Sequence, residues 1–279
     1  IAGMAGSFGA AAAAAGRIFA LLDAPEETPD PVPGTVPQTS AGAVEFRHVA
    51  FGYTPGRPLM RDVNITVKPG QKVAIVGPTG AGKTTLINLL MRFYDIDSGS
   101  ILVDGVDIRD MTRRGLRDRF GMVLQDAWLF EGSIRDNLSY AQDGMPEEKM
   151  LAAARSASVD SFIRTLPGGY DFVLTTGADN ISQGQRQLLT IARAMASDPE
   201  IMILDEATSN VDTHTEQLIQ KALAKLMQGR TSFVIAHRLS TIRDADVILY
   251  MEHGDILEPG TPRPVRSSVH EPVCGVRRD

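Results

Sequence analysis

Residues 77–84 read Gly77-Pro78-Thr79-Gly80-Ala81-Gly82-Lys83-Thr84 and directly follow the short apolar run Val73 to Val76. They fit the pattern G-x-x-x-x-G-K-[ST] in full. In such a loop the glycines let the backbone wind closely around phosphate oxygens, the N–H groups point inward, and the following helix presents its positive end. We therefore predict a strand, a phosphate-binding loop and a helix here, rather than a glycine-rich turn without a ligand.

The side chains of this loop suit a nucleotide that carries a metal ion. Lys83 supplies a point charge for the β- and γ-phosphates, and the Thr84 hydroxyl can coordinate Mg²⁺. The predicted nucleotide contacts in this part of the chain are Gly77, Pro78, Thr79, Gly80, Ala81, Gly82, Lys83, Thr84 and Thr85.

Two acids, Asp205 and Glu206, end another apolar run, Ile201 to Leu204. A charge at the end of a buried strand is costly unless a positive group lies near it, and Mg²⁺ would be such a group. Adjacent side chains of a strand point in different directions, so Asp205 can face the metal while Glu206 faces the γ-phosphate and its attacking water. The alternative is a strand end whose acids cap the next helix.

The pattern of apolar residues predicts an α/β fold. The runs 73–76, 201–204 and 233–236 alternate with helical segments, which is typical of buried parallel strands. Alternation between residues 44 and 67 predicts antiparallel strands, and residues 145–166 are predicted to be helical. A chain of 279 residues with 43% hydrophobic content has room for one large domain or two modest ones.

Four segments follow from composition. Residues 1–23 are Ala-rich with helical spacing, and their uncharged part is too short to cross a bilayer alone. Residues 24–42 are proline-rich, which favours an extended, stiffened connector over packed structure. Residues 43–260 hold the α/β domain. Residues 261–279, with three prolines, four arginines and no period, are predicted to be poorly ordered.

Charge and cysteine content narrow the partners and the compartment. The net charge is −6, with 28 basic and 34 acidic residues and no long basic block, so we expect no nucleic-acid partner. A single cysteine, Cys274, fits a reducing compartment, and we interpret the domain as cytosolic.

These residues resemble the ATP-binding cassette (ABC) family, and the resemblance covers most of Val44 to Gly260 with the motifs in the family's order. It implies ATP and Mg²⁺ as cofactors. It also implies a P-loop NTPase core of mainly parallel sheet, an antiparallel β-subdomain and an α-helical signature subdomain. Tyr53 would stack on adenine, and Gln125 would sense Mg²⁺ and the γ-phosphate.

The resemblance also implies roles for two later segments. His237 resembles the switch histidine that contacts the γ-phosphate, and residues 209–212 resemble the D-loop that crosses between subunits. The implied catalytic residues are Glu206, His237, Gln125 and Lys83. The implied metal site consists of Thr84, Gln125 and Asp205.

A second candidate phosphate contact resembles the ABC signature, with Ile181-Ser182-Gln183-Gly184-Gln185-Arg186-Gln187. Ser182 and Gln185 form an S-x-x-Q capping box at the start of an amphipathic helix, which would aim its positive end at an anion. In the family this anion is the γ-phosphate held by the opposite subunit, contacted here by Ser182, Gly184 and Gln185. The alternative to a phosphate contact is an ordinary capped helix.

The signature departs from the family's usual L-S-G-G-Q, because Gln183 replaces a glycine and Ile181 a leucine. The serine and the remaining glycine are kept. We expect binding to survive while the site shared between subunits becomes slower or asymmetric.

The N-terminal segment indicates a subtype. The Ala-rich stretch with Arg17 to Asp23 resembles the end of the last membrane helix of exporter half-transporters, which fuse membrane and ATPase domains. The resemblance implies that the chain lacks its transmembrane part, that it works at the cytoplasmic face of a membrane, and that its partner is a second ABC ATPase domain in a homodimer or heterodimer.

Two other functions remain open from the residues. One is an ATP-gated dimerisation module with little hydrolysis, which Gln183 favours and which Glu206 and His237 oppose. The other is a soluble ABC ATPase of DNA repair or translation, which the exporter-like N-terminus and the absence of a basic block oppose.

Overall fold

A computed structural model describes residues 2–24, 26–140, 142, 144–205, 211–236 and 239–260. The predicted catalytic residues Glu206 and His237, residues 209–210 of the D-loop and the segment 261–279 lie outside the described residues. The described residues form twelve strands: β1 (Val44–Phe51), β2 (Met60–Val67), β3 (Lys72–Val76), β4 (Ser98–Val103), β5 (Val106–Asp107), β6 (Phe120–Val123), β7 (Gly132–Ser133), β8 (Val173–Leu174), β9 (Ile201–Asp205), β10 (Thr231–Ile235), β11 (Val247–Glu252) and β12 (Asp255–Gly260).

They also form nine α-helices: α1 (Ala2–Leu22), α2 (Lys83–Leu90), α3 (Arg113–Arg117), α4 (Ile134–Ser139), α5 (Glu147–Ser156), α6 (Asp160–Thr165), α7 (Gln183–Ser197), α8 (Thr213–Met227) and α9 (Leu239–Arg243). Two 3-10 helices span Gly169–Asp171 and Thr176–Ala178. Within the described part of the chain, no helix is both long enough and apolar enough to cross a membrane.

The central sheet has six strands in the order β12-β11-β3-β10-β9-β6. All its described neighbours pair in parallel except β11 and β12, which pair antiparallel. The carboxyl ends of β3, β6, β9 and β10 therefore meet at one edge, where ligands of open α/β sheets bind. Each of β3, β9 and β10 is an apolar run, because helices cover both faces of such a sheet.

A second sheet, in the order β2-β1-β4-β5, is antiparallel as predicted. The inward residues of β1 and β2 pack into one hydrophobic cluster with α2 and the central sheet. This cluster holds the phosphate loop between two sheets.

A helical subdomain between β6 and β9 contains α4 to α7, and these helices share a second hydrophobic cluster with α8, which follows β9. The predicted helical segment 145–166 is two helices, α5 and α6, because Ser158 between them adopts a left-handed φ of 61°. The longest helix of this subdomain is α7, whose apolar face is buried as its spacing predicts.

Residues 26–40, which we call the strap, contain no helix or strand, as expected from their prolines. Contrary to the expectation of an unpacked connector, the strap lies against the α/β domain. The Arg113 guanidinium contacts Asp30 and Glu27 at 2.7 Å each and donates to the Thr28 carbonyl at 2.7 Å. Arg92, 3% exposed, lies 3.8 Å from Asp30.

The reason for this packing is the pair of buried guanidinium groups. A buried charge needs a partner, and the strap carboxylates provide it. Hydrogen bonds from the Arg113 backbone and side chain lower the pKa of Asp30. Further along, the Thr35 N–H donates to the Asp110 carbonyl at 2.7 Å, and Pro37 is buried.

Candidate nucleotide-binding site

The phosphate loop leaves β3 at Gly77, where only glycine fits. Its φ is +150°, and a Cβ here would lie 2.2 Å from the Met251 carbonyl oxygen. Further along the loop, the buried Ala81 accepts a 2.9 Å hydrogen bond at its carbonyl from the Gly254 N–H. Met251 near the end of β11 and Gly254 in the turn that follows it, which together we call the seat of the loop, hold the loop at the carboxyl edge of the central sheet.

The N-cap of α2 is Gly82, which adopts a left-handed conformation with φ 101° and provides no side-chain hydrogen bond to the first turn. The first N–H groups of a helix have no partner within the helix, and together with the helix dipole they favour an anion. At Gly80, φ is +82° and no atom lies within 4 Å of a hypothetical Cβ. The backbone here is shaped to approach phosphate oxygens closely.

The Lys83 ammonium group lies over the start of the loop. Its Nζ donates to the Gly77 carbonyl at 2.8 Å and to the Pro78 carbonyl at 2.9 Å. An ammonium group has three donors, so these two bonds orient the side chain and leave capacity for a phosphate oxygen. Thr84 is exposed beside it, so its hydroxyl is accessible to a metal ion, whereas Thr85 is buried.

Tyr53 lies beside α2. Its hydroxyl is 3.0 Å from the Thr85 hydroxyl, and its ring is 53% exposed. A ring with one open face at a phosphate loop can stack on a base. Tyr53 lies two residues after the end of β1 and is not part of the hydrophobic core.

The other predicted groups of this edge follow neighbouring strands. Asp205 is the last residue of β9 and is half-buried, with β10 beside it. Gln125 is exposed two residues after β6. Glu206 directly follows β9 in the sequence and His237 follows β10, so their assignments remain predictions from sequence position.

The signature segment forms the start of α7. Ser182 is the N-cap: its hydroxyl accepts from the Gln185 N–H at 3.3 Å, and its N–H donates to the Gln185 side chain at 2.9 Å. The predicted capping box is therefore present. Gly184 is buried, and a Cβ there would lie 2.3 Å from the Thr215 methyl group of α8. A glycine is thus required by close helix packing, a reason that the sequence alone did not indicate.

Asp212, in the predicted D-loop, caps α8. Its carboxylate accepts from the His214 N–H at 3.1 Å and the Thr215 N–H at 3.0 Å. Hydrogen bonds from the Thr215 side chain and backbone, and from His214, lower the pKa of Asp212. Thr215 therefore lies between the D-loop and Gly184 of the signature.

The structure also brings Gln125 close to the first turn of α7. A cleft of about 180 Å³ is lined by Gln125, Asp126, Ala127, Gln183, Arg186 and Gln187. The residue that replaces the family's glycine, Gln183, thus lies in the same cleft as the predicted γ-phosphate sensor. Distance in sequence hides this proximity.

The donor set fits a nucleotide with Mg²⁺. Proteins usually hold Mg²⁺ through one or two carboxylates plus substrate phosphates rather than in an all-protein cage. Among the described residues, no three His, Cys, Asp or Glu side chains converge. Oxygen ligands of the expected kind, the Thr84 hydroxyl and the Asp205 carboxylate, lie at the carboxyl edge of the same sheet, beside a loop built for phosphates.

This fold and this loop define an α/β P-loop nucleotide-binding domain. A family model described as "ABC transporter" matches residues 60–209, more than half of the chain. The chain therefore belongs to the ABC transporter family, and the predicted ABC-type ATPase class and fold class are confirmed.

Similar proteins of known sequence and structure belong to the same family. The chain is 54% identical over 260 residues to the "Fatty acid ABC transporter ATP-binding/permease protein" of Mycobacterium bovis, covering 93% of this chain and 41% of that protein. It is 46% identical over 249 residues to the "ATP-dependent lipid A-core flippase" of Desulfotalea psychrophila, covering 89% and 43%. A solved "bacterial Atm1-family ABC exporter with ATP bound" matches with a TM-score of 0.79 and 40% identity, over 88% of this chain and 43% of that one. The chain thus spans about two fifths of the proteins it matches.

Proposed function

We propose that this chain is the ATP-hydrolysing domain of an ABC exporter and that it pairs head-to-tail with a second such domain around two Mg-ATP. The observation that carries the proposal is the uncapped start of α2, with Lys83 held over a loop at the carboxyl edge of a parallel sheet. The ATPase domain would occupy residues 43–260, after the linker 24–42.

The residues would divide the work at this edge. Lys83 and the loop N–H groups would bind the phosphates, while Thr84 and Asp205 would hold Mg²⁺. When bound, Mg²⁺ neutralises charge on the β- and γ-phosphates. Glu206 would accept a proton from the attacking water, and Gln125 and His237 would hold the γ-phosphate in place.

The start of α7 would complete the site of the partner domain. A serine hydroxyl can accept one hydrogen bond and donate another, so Ser182 can keep its capping box while it donates to a γ-phosphate. The Gly184 N–H would lie beside it. Loss of the γ-phosphate removes charge-assisted contacts across the interface, which is how hydrolysis would release the pair.

A groove of about 840 Å³ beside the Gln125 loop is where we propose that the transmembrane partner docks. Three of its lining residues, Leu124, Trp128 and Tyr140, are exposed by 48%, 63% and 65%. Behind them Arg193 donates to the Trp128 carbonyl at 3.1 Å, and burial lowers the pKa of its guanidinium. Arg193 is itself half-buried, and exposed aromatic residues around an arginine are typical of protein interfaces.

The Mycobacterium bovis relative supports this partner, because its name joins an ATP-binding part with a permease and this chain covers only 41% of it. The relatives named above favour an exporter over a soluble ABC ATPase. We accordingly propose that the domain lies at the cytoplasmic face of a membrane.

The test compares Mg-ATP turnover of this chain with that of Glu206→Gln, while light scattering follows dimerisation at several protein concentrations. We expect turnover in the parent and a stable ATP-bound dimer only in Glu206→Gln. The control is Glu148→Gln, which changes an exposed glutamate in the first turn of α5. Equal turnover of all three proteins would contradict the role of Glu206.

A second function, that of an ATP-gated dimerisation module with little hydrolysis, is favoured by one observation. Gln183 lies in the same cleft as Gln125. A side chain there, in place of glycine, could hinder a partner's γ-phosphate. In that case the parent would bind ATP and dimerise with it, yet neither the parent nor Glu206→Gln would turn it over.

A further inference from the structure

Three aromatic rings meet at the end of β1. Phe51 is 4% exposed and packs in the core, whereas Tyr53 and Tyr94 are 53% and 45% exposed. The Tyr53 ring lies 4.9 Å from the Phe51 ring at 81° and 5.1 Å from the Tyr94 ring at 90°. Phe51 and Tyr94 are themselves 5.8 Å apart. The two edge contacts thus come from different parts of the chain.

The orientation of the Tyr53 ring is constrained at two kinds of contact. The hydrogen bond to Thr85 holds the hydroxyl end against the first turn of α2. A single bond at the tip still allows the ring to rotate about its long axis. Edge-to-face contacts on the ring remove that freedom, because such pairs have a preferred interplanar angle.

Tyr94 is well placed to provide this restraint. It follows α2 in the turn that the Phe93 N–H closes by donating to the Asn88 carbonyl at 2.8 Å. Since nearly half of Tyr94 is exposed, burial in the core does not account for a large ring here. Its contacts on the described residues include both Phe51 and Tyr53.

We propose that Tyr94 is a positioning residue of the base site, whose ring holds Tyr53 in the plane that stacks on the adenine of a nucleoside triphosphate. This inference rests on the proposed binding of ATP. Through the Tyr53–Thr85 hydrogen bond, the base platform is also joined to the helix that binds the phosphates.

The experiment measures the Kd of two ligands, Mg-ATP and inorganic triphosphate with Mg²⁺, which has the phosphates but no base. The variants are Tyr94→Leu, Tyr94→Phe, Tyr53→Leu and the double variant. An aromatic pair contributes about 0.5–1.5 kcal/mol, so Tyr94→Leu should raise the Kd for Mg-ATP roughly 2- to 12-fold and leave the Kd for triphosphate unchanged. Tyr94→Phe keeps the ring and should bind both ligands like the parent.

The double variant separates positioning from general stability. If Tyr94 acts through Tyr53, then Tyr94→Leu adds nothing to the loss already caused by Tyr53→Leu. An additive loss, an equal loss for both ligands, or weaker Mg-ATP binding by Tyr94→Phe would each overturn the proposal, as would unchanged binding by Tyr94→Leu.

Lys83→Ala distinguishes this failure from failure of the proposed function. It should weaken both ligands together, because it removes a phosphate contact. A parent that binds neither ligand would overturn ATP binding itself and the role of Tyr94 with it.

Discussion

The N-termini of two helices in this domain are the proposed phosphate-binding sites, and they differ in how they are capped. At α2 the N-cap is Gly82, in a left-handed conformation, and no side chain caps the first turn. At α7 the N-cap is Ser182, and a complete capping box with Gln185 already satisfies part of the first turn. Both helices present a positive end, but only one does so without a cap of its own.

The difference teaches how the proposed division of labour is encoded. The start of α2 is shaped by glycines and by the seat at Met251 and Gly254, so it needs an anion to complete it. The capping box at the start of α7 satisfies N–H groups within one chain. The free-energy cost of unpaired N–H groups is therefore small even when no partner's nucleotide is bound.

The largest expected effect is at the uncapped helix start. Lys83→Ala should lower Mg-ATP turnover at least about 100-fold, since removal of one preorganised donor to a developing charge costs on this scale. Steady-state turnover and calorimetric binding measure it. Lys221→Ala, an exposed lysine of α8, should leave both unchanged. Comparable turnover in the two variants would remove Lys83 from the site.

A substitution at Gly184 should come next. Gly184→Ala places a Cβ 2.3 Å from the Thr215 methyl group, and overpacking of this kind costs about 1–3 kcal/mol. Urea unfolding should show this loss. The double variant Gly184→Ala with Thr215→Ser removes that methyl group and should recover much of the stability. A single variant as stable as the parent would show that the contact gives way easily.

The self-capped start is tested with a matched pair of serines. Ser182→Ala and Ser133→Ala each remove a capping box, at the start of α7 and of α4, and each should cost ~1 kcal/mol of stability. Only Ser182→Ala should also lower turnover, roughly tenfold, because a hydrogen bond to a charged group is lost. Equal turnover of the two variants would mean that Ser182 is a cap and nothing more.

The smallest effect is expected at Gln183. Gln183→Gly removes the side chain from the cleft of Gln125 and should raise turnover about threefold, a change of ~0.65 kcal/mol. Gln217→Gly, on the exposed side of α8, is the control for loss of helix stability. If the turnover of Gln183→Gly is no higher than that of the parent, and Gln217→Gly changes turnover to the same extent, Gln183 does not hinder the partner site.

The same contrast shows what a sequence can predict. The phosphate loop and the capping box were predictable because each depends on residues a few positions apart: Gly77 to Lys83, and Ser182 to Gln185. The class of fold followed from apolar runs that alternate with helical segments. Such local patterns carry their own geometry.

Contacts between distant residues were not predictable. Nothing in the loop reveals that Met251 and Gly254 form its seat, or that Thr215 is the reason for Gly184. A positive φ at His253 and Gly254 marks a tight turn, but only the folded chain shows what the turn supports. Tyr94 was missed because an aromatic residue after a helix has no distinctive spacing.

The strap is a second such case, and it changes how the proline-rich segment should be understood. Arg92 lies two residues after the end of α2, and both Arg92 and Arg113 contact Asp30, so the segment is attached to the domain close to the end of α2. Tension applied to the chain before Glu27 would reach the carboxyl end of α2, and the phosphate loop lies at the other end of the same short helix. A movement of the chain before Glu27 and the binding of a nucleotide at the phosphate loop are thus linked through a single helix, α2.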